Sequence, residues 1–551
     1  MSFKNSILVL ILLVLSIQGF GQGHKKPLKV TGGLSATTAF YSSTGISARK
    51  KPFSYVLSGN VNISIYGYSI PLSFVVSDRN SQFRQPFNQF GLSPKYKWAT
   101  LHLGYRNIRF SPYVLNGHTI YGAGVELNPG KLRFGVVYGR FKRSVNIARK
   151  VDEPLLDTTN TFSRKGYSVK LGVGSQNNYV DFVFLKVADD TLSLLAQDWQ
   201  KATNPQANAA LGISTKLRIS PSIRFSADIG YSLFTKNVFA TEIDDKDAQM
   251  ASDYLVPVNL SSQHYGALQT ELTFKPSSRF NASLKYKRID PGYKTMGVYY
   301  MQNDVSNYTL NMGGNLWQSK IQINTSIGLE SNNLRHLRKT TTKRWIGSAN
   351  LNFNLNKNFG LAANYSNYSI NQMGDEVQIA DSIKLYQTNS QMMINPRYMI
   401  FGKKANHVFI LVYNSSQLND KNPATNQLSG FKLNNYMFNY NLNLLKSGLG
   451  FSLGYTYAIV KMKLSDNVNS SFTIGIGKSF FQNKLRLRFS QLFSSSGQEN
   501  AKQFLLRPSL SGTYKLAKHH NIRFKLYLKN GSSTAKSYTE TSGDFTYSFN
   551  F

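Results

Sequence analysis

Apolar and polar side chains alternate at every second position along most of this chain, which is the period of a β-strand with two unlike faces. The last nine residues, Gly543 to Phe551, show the pattern most clearly, because one face is wholly aromatic and the other carries short polar side chains. The aromatic face is formed by Phe545, Tyr547, Phe549 and Phe551. Such a strand is expected to contact an apolar environment through its aromatic face only.

From Phe53 onward, the pattern predicts strands of about eleven to fourteen residues, joined alternately by tight turns and by long connections. The tight turns, such as Asn128 to Lys131 and Gln482 to Lys484, carry the Gly, Asn, Pro and Ser residues that suit a reversing backbone. The segment Thr235 to Gln263 is one of the long connections. The pattern predicts 24 strands, with 22 to 26 allowed, and the segment Val30 to Ser43 is either a further strand or an extended arm.

The stretch Asp78 to Pro94 breaks this rhythm, since it lacks alternation and contains Pro86 and Pro94. Two interpretations are open. The stretch is a long connection that folds inward or serves as a docking surface, or it hides a strand that the pattern does not reveal.

Composition supports an all-β membrane protein over a soluble one. Aromatic residues make up 13% of the chain and charged residues only 17%, whereas soluble domains usually carry more charge. The formal net charge is nevertheless +37. Because the cations are spread through strands instead of clustering, we expect no nucleic acid partner.

The amino terminus predicts export. Residues 1–21 combine one cation, Lys4, with an apolar run from Ile7 to Ile17 and small residues at Gly19 and Gly21, which is the pattern of a secretory signal peptide. The chain has no cysteine, so disulfides, thiolate metal sites and an amino-terminal lipid anchor are not expected. No later stretch is long and apolar enough to predict a transmembrane helix.

The aromatic strand that ends at Phe551 resembles the carboxy-terminal signature of Gram-negative outer-membrane β-barrels. This resemblance implies an all-β fold, a transmembrane antiparallel up-and-down β-barrel of about 24 strands, with short periplasmic turns and long external loops. It implies a location in the cell outer membrane, and it makes Phe545, Tyr547, Phe549 and Phe551 a signal for the barrel-assembly machinery. Residues 53–551 would form the barrel, and residues 22–52 a linker or arm, lying in the lumen or forming a first strand.

In such a barrel the apolar face of each strand contacts lipid, so the alternating cations face the lumen. These cations are predicted to form a basic belt near the tight turns, in the periplasmic half of the lumen. The belt consists of Arg133, Lys216, Arg218, Arg224, Lys285, Lys287, Arg486, Arg488, Arg523 and Lys525. Crowded cations repel one another, so nearby anions would stabilise them. The belt therefore either selects anionic solutes, or it merely solvates the wall and pairs with acids on neighbouring strands.

Three functional hypotheses follow. The first is a wide pore with a basic lumen, for passive or partner-gated transport of anionic solutes. The second is the barrel subunit of a larger envelope complex, plugged by a periplasmic or lipoprotein partner. The third is a surface-binding platform whose acidic loops, with Asp244, Asp245 and Asp247, bind a partner outside the cell. Outer-membrane lipid, including anionic lipid, is an expected partner in all three.

Catalytic and cofactor chemistry is not predicted. The eight histidines show no HExxH motif and no recognisable triad, and the acidic residues match no metal-binding signature. We therefore expect a non-enzymatic protein without a cofactor, a catalytic residue or a metal site.

Overall fold

A computed structural model describes residues 28–65, 68–78, 89–145, 160–195, 199, 202–335, 343–372, 385–420, 430–462, 465–498, 501–532 and 537–551. The predicted signal peptide, residues 1–21, and residues 79–88 of the irregular stretch lie outside the described residues.

The described residues form one antiparallel sheet of 27 strand segments. The first nine are β1 (Leu28–Thr44), β2 (Phe53–Ile65), β3 (Tyr68–Ser77), β4 (Gln89–Leu92), β5 (Lys95–Tyr96), β6 (Ala99–Ser111), β7 (Leu115–Leu127), β8 (Leu132–Lys142) and β9 (Ser163–Ser175). The next nine are β10 (Asn178–Asp190), β11 (Ala207–Arg218), β12 (Ile223–Thr235), β13 (Ser262–Phe274), β14 (Phe280–Ile289), β15 (Val305–Leu316), β16 (Ile321–Ser331), β17 (Lys343–Asn354) and β18 (Phe359–Gln372).

The last nine are β19 (Leu385–Phe401), β20 (Ala405–Asp420), β21 (Phe431–Leu444), β22 (Leu449–Met462), β23 (Asp466–Phe480), β24 (Leu485–Gln498), β25 (Ala501–Ala517), β26 (His520–Ser532) and β27 (Ser537–Asn550). A helix α1 (Lys246–Tyr254) and a short 3-10 turn (Thr191–Ser193) lie in the connections. In the part of the chain that the structure describes, no helix is long and apolar enough to cross a membrane.

The sheet closes into a barrel because β1 pairs with both β2 and β27. The short segments β4 and β5 together occupy one position between β3 and β6, so the wall has 26 strands. The predicted number of 24 is therefore corrected to 26, the upper limit of the predicted range. β1 belongs to the wall, and the strand that the pattern did not reveal is β4 with β5, which Ser93 and Pro94 interrupt.

The recovered strand also corrects the placement of the irregular stretch. A count of 24 strands from Phe53 puts the connection after β3 at the periplasmic end, beside the tight turns. With β1 in the wall, that connection lies at the opposite end, together with the long connections. We call the two ends of the barrel the tight-turn end, where turns such as Asn128 to Lys131 lie, and the long-connection end.

The two faces of the wall are chemically distinct. Along β10, Val183, Leu185 and Val187 are buried inside the barrel, whereas Phe182 is 57% exposed on the other face. Following the register from strand to strand assigns every side chain to the lumen or to the outer face. Large apolar side chains are exposed on the outer face of neighbouring strands: Leu171, Leu211, Tyr231, Leu272, Leu284, Tyr308 and Ile327. An apolar surface of this extent is rare on soluble proteins.

The buried core lies inside one half of the barrel, at the long-connection end. There the turn after β6 and the segment Asp290 to Asp304 fold inward onto the lumen face of β10 to β13. The core combines side chains of that wall, such as Leu185 and Phe234, with Val114, Tyr293 and Met296 from the inward segments. Because 26 strands about 4.8 Å apart and tilted by about 40° enclose a circular barrel about 50 Å wide, these segments fill part of the lumen only.

Candidate functional site

All ten cations of the predicted belt share the lumen face. The register places Arg218 opposite Arg224, Lys216 opposite Ser226, and Lys285 opposite Glu271. Seven of the ten lie within three residues of a strand's tight-turn end, while Lys285, Lys287 and Lys525 lie deeper. The structure divides them into sectors that differ in what the cations touch.

In the sector from β7 to β10, lumen-facing cations are paired with acids. Arg133 makes a two-pronged contact with Asp181, with its Nε 2.6 Å from Oδ1 and its Nη2 2.7 Å from Oδ2. Asp181 is 2% exposed, so burial in the barrel wall shields its carboxylate from water. Arg164 pairs in the same way with Asp189.

A further lumen cation of this sector, Lys170, donates from Nζ to Oε2 of Glu126 at 2.8 Å. Glu126 also lies 3.2 Å from Nε2 of His102, so one carboxylate holds two basic side chains. The pattern predicted neither these acids as partners nor the involvement of His102. The partners come from strands that are not adjacent in the sequence, such as β8 and β10, and only the register brings them together.

The sector from β24 to β26 is different. Arg486, Arg488, Arg523 and Lys525 are exposed to the lumen, and none of them makes an ion pair with a described residue. Thr513 lies directly between Arg486 and Arg523 in the register, and Ser511 lies between Arg488 and Lys525. Arg488 donates to the hydroxyl of Ser452 at 2.8 Å.

A cavity of about 480 Å³ opens beside these cations at the tight-turn end. Its described lining contains four cations, Lys484, Arg486, Lys515 and Arg523, together with hydroxyl and amide side chains, and no carboxylate. Lys484 and Lys515 were missed by the sequence prediction, although the alternation around Thr513 and Lys515 would have placed Lys515 on the lumen face. We call these four cations with Arg488 and Lys525 the basic cluster.

The inward segment from Asp290 to Asp304 is held by specific contacts. Asn208, fully buried on β11, accepts from the backbone N–H of Met296 at 2.9 Å and donates to the hydroxyl of Ser232 at 2.8 Å. The hydroxyl of Tyr293 donates to the carbonyl of Tyr113 at 2.6 Å. Burial raises the pKa of Tyr293 above its usual range, so this donor stays protonated. Nothing in the sequence pattern distinguishes this segment from the other long connections.

The aromatic strand β27 lies at the closure of the barrel. Phe545, Tyr547, Phe549 and Phe551 all face outward, opposite the small residues of the lumen face. His520 begins β26: its ring stacks on Phe549 with centroids 4.5 Å apart, and its Nδ1 lies 2.6 Å from the hydroxyl of Tyr547. The backbone N–H of Phe551 donates to the carbonyl of Gly32, near the start of β1, at 3.0 Å.

The acidic residues of the long connection between β12 and β13 have a local structural role. Asp245 caps helix α1, accepting from the backbone N–H groups of Asp247 and Ala248. Among the described residues, no group of three His, Cys, Asp or Glu side chains is placed to hold a metal ion.

No protein-family model and no curated protein matches the chain. Among solved structures, the chain is similar to the translocation pore of the P pilus usher PapC, with a TM-score of 0.41 and 10% identity over 95% of this chain and 99% of that one. It is also similar to OccK11 (OpdR) of Pseudomonas aeruginosa, with a TM-score of 0.32 and 9% identity over 97% and 99%. A further similar structure is OccAB2 of Acinetobacter baumannii, with a TM-score of 0.30 and 11% identity over 70% of this chain and 98% of that one.

The resemblance to large outer-membrane β-barrels is confirmed at the level of the fold, because the chain itself closes into an antiparallel barrel with an apolar outer face.

Proposed function

We propose that this chain is an outer-membrane pore whose basic cluster favours anionic solutes. The observation that carries the proposal is that the basic cluster is exposed in the lumen and makes no ion pair with a described acid, whereas the lumen cations of β7 to β10 are neutralised. One carboxylate, Asp544, lies opposite Lys525 in the register, so the excess of positive charge is greatest around the other five cations. A concentration of like charge on one water-exposed wall attracts counter-ions and raises their local concentration. The tight-turn end, where the cluster lies, would face the periplasm.

The apolar outer face supports the membrane location. Lipid would contact this face, and the exposed cations near the external rim would meet the phosphates of anionic lipid. The aromatic face of β27 supports recognition by the barrel-assembly machinery.

The test is the reversal potential of the purified protein in a planar bilayer under a salt gradient. We expect a steady, anion-selective conductance. The variant R486Q/R488Q/R523Q/K525Q removes four lumen charges and is expected to lower the anion-to-cation permeability ratio severalfold, while the barrel still folds because these side chains lack ion-pair partners among the described residues.

The matched control is K432Q/K461Q/K478Q/K502Q, which removes the same charge from exposed positions on the outer face. Its selectivity should equal that of the unmodified protein. Equal selectivity of all three proteins would overturn the anion proposal. A folded protein that does not conduct would favour the second hypothesis, a barrel plugged by a lipoprotein partner. The measurement would then be whether a lipoprotein co-purifies with the barrel.

A further inference from the structure

The lumen wall from β14 to β21 carries a row of eight opposed positions, six of which are asparagine. In the register, Asn281 is followed by Gly313, Asn324, Asn350, Asn364, Met393, Asn414 and Asn435, one residue on each of eight consecutive strands. Asparagine is disfavoured in strands, and serine or threonine would suffice for contact with water. A row of six asparagines on one face therefore indicates a use for the amide group.

The adjacent row on the same face is also uncharged and polar. It runs through Ser283, Asn311, Ser326, Ser348, Ser366 and Gln391. We call the two rows the amide track. With neighbouring strands about 4.8 Å apart, the track extends about 34 Å around the wall.

The track also climbs through the lumen. Asn281 lies one residue from the tight-turn end of β14, whereas Asn435 lies nine residues from the tight-turn end of β21. A difference of eight residues corresponds to about 26 Å along the strands, so the track rises from the tight-turn end past the middle of the wall, toward the long-connection end.

A cavity of about 290 Å³ lies at the lower end of the track. Its lining includes the track residues Asn281, Ser283, Asn311, Asn324 and Asn350, and one carboxylate at its edge, Glu271 of β13, which lies opposite Lys285 in the register. The amide oxygens of Asn281 and Asn324 converge above Gly313, where a Cβ atom would collide with both. The missing side chain thus lets two amides approach one point, and the volume is close to that of small-ligand sites.

We propose that the amide track binds an uncharged, polyhydroxylated chain, that is, an oligosaccharide. Each amide both donates and accepts hydrogen bonds, as does each sugar hydroxyl, so a sugar chain can satisfy the track without charge. A polypeptide would also bring apolar and charged side chains, for which these two rows offer few partners. The inference needs a solvent-filled lumen but not the anion preference, because the basic cluster lies on other strands.

The first test is calorimetric titration of the detergent-purified, folded barrel with maltohexaose and, separately, cellohexaose. We expect at least one to bind with a Kd on the order of 1 mM. The variant N324A/N350A/N364A should weaken that binding about tenfold, because each amide contributes modestly. The variant R486Q/R488Q/R523Q/K525Q should bind as the unmodified protein does, which separates this inference from the anion proposal.

A second measurement does not depend on any variant folding. In a planar bilayer, the same hexasaccharide should reduce the current of the unmodified protein more than a polyethylene glycol of equal size, which accepts hydrogen bonds but has few donors. No binding of either sugar, unchanged binding by N324A/N350A/N364A, or equal effects of sugar and polyethylene glycol would each overturn the proposal.

Discussion

At the scale of single residues, the lumen cations of this barrel are distinguished by their partners. Arg133 holds a buried carboxylate through two hydrogen bonds, whereas Arg486 and Arg523 are exposed beside a cavity whose described lining includes no carboxylate. A buried pair is costly to break because the remaining charge loses its partner in a poorly hydrated place. An exposed cation costs little to neutralise.

The substitution Asp181→Asn tests this difference. It removes the charge that Arg133 requires and is expected to lower the free energy of unfolding by about 2 kcal/mol, less than for a fully buried pair because Arg133 keeps some contact with water. The measurement is urea-induced unfolding of the barrel in lipid vesicles.

The matched control is Asp190→Asn. Asp190 pairs with Lys165, whose side chain is 54% exposed, so its loss should change the free energy of unfolding by no more than about 0.5 kcal/mol. Equal destabilisation by the two substitutions would contradict the role given to burial.

The sequence predicted the lumen orientation of cations such as Arg488 and Lys525, because alternation is a local property of each strand. It could not separate paired from unpaired cations. The pair of Arg133 with Asp181 depends on the register of three strands joined by a long connection, and no local pattern encodes that register. The contact of Asn208 with the inward segment could not be predicted either, since Met296 lies 88 residues away in the sequence.

At the scale of elements, the segment Asp290 to Asp304 is the clearest departure from a simple barrel. It enters the lumen because Tyr293 and Met296 bury apolar surface against β10 to β13, and because Asn208 accepts the backbone N–H of Met296. The missed strand is the opposite case: β4 has four residues and β5 two, too few for alternation to be recognised.

Replacing Pro291 to Gln302 with a short Gly-Ser linker is expected to increase single-channel conductance, because the segment occupies part of the lumen. The control is a Gly-Ser replacement of α1. The residues that follow this helix, Leu255 and Val256, belong to a cluster with Phe184 and Leu233, which face outward, so the helix lies outside the lumen. Its replacement should therefore leave the conductance unchanged. Unaltered conductance without Pro291 to Gln302 would show that the segment does not limit the current.

At the scale of the whole molecule, closure depends on one seam. The lumen faces of β1 and β27 are matched residue by residue: Ser35 lies opposite Ser548, and the hydroxyls of Thr37 and Thr546 are 3.0 Å apart. Directly opposed residues of antiparallel strands have Cα atoms about 4.5 to 5.5 Å apart, within the range of a disulfide.

The variant S35C/S548C should therefore form an intramolecular disulfide on mild oxidation, seen as a changed mobility of the denatured protein. The natural chain has no cysteine, so the cross-link is unambiguous. In S35C/S542C the second cysteine is six residues out of register, and no cross-link should form. Efficient cross-linking of both variants, or of neither, would contradict the seam described here.

The seam also fixes the order of events in biogenesis. Contacts such as that between Thr37 and Thr546 span 509 residues of sequence, so the mean sequence separation of contacts rises sharply in the final step. β1 emerges first and must wait, with an unpaired edge open to other strands, until β27 is delivered. Contacts of such long range form slowly. Closure is therefore necessarily a late step, and the waiting edge of β1 is the point at which a folding helper would protect this protein best.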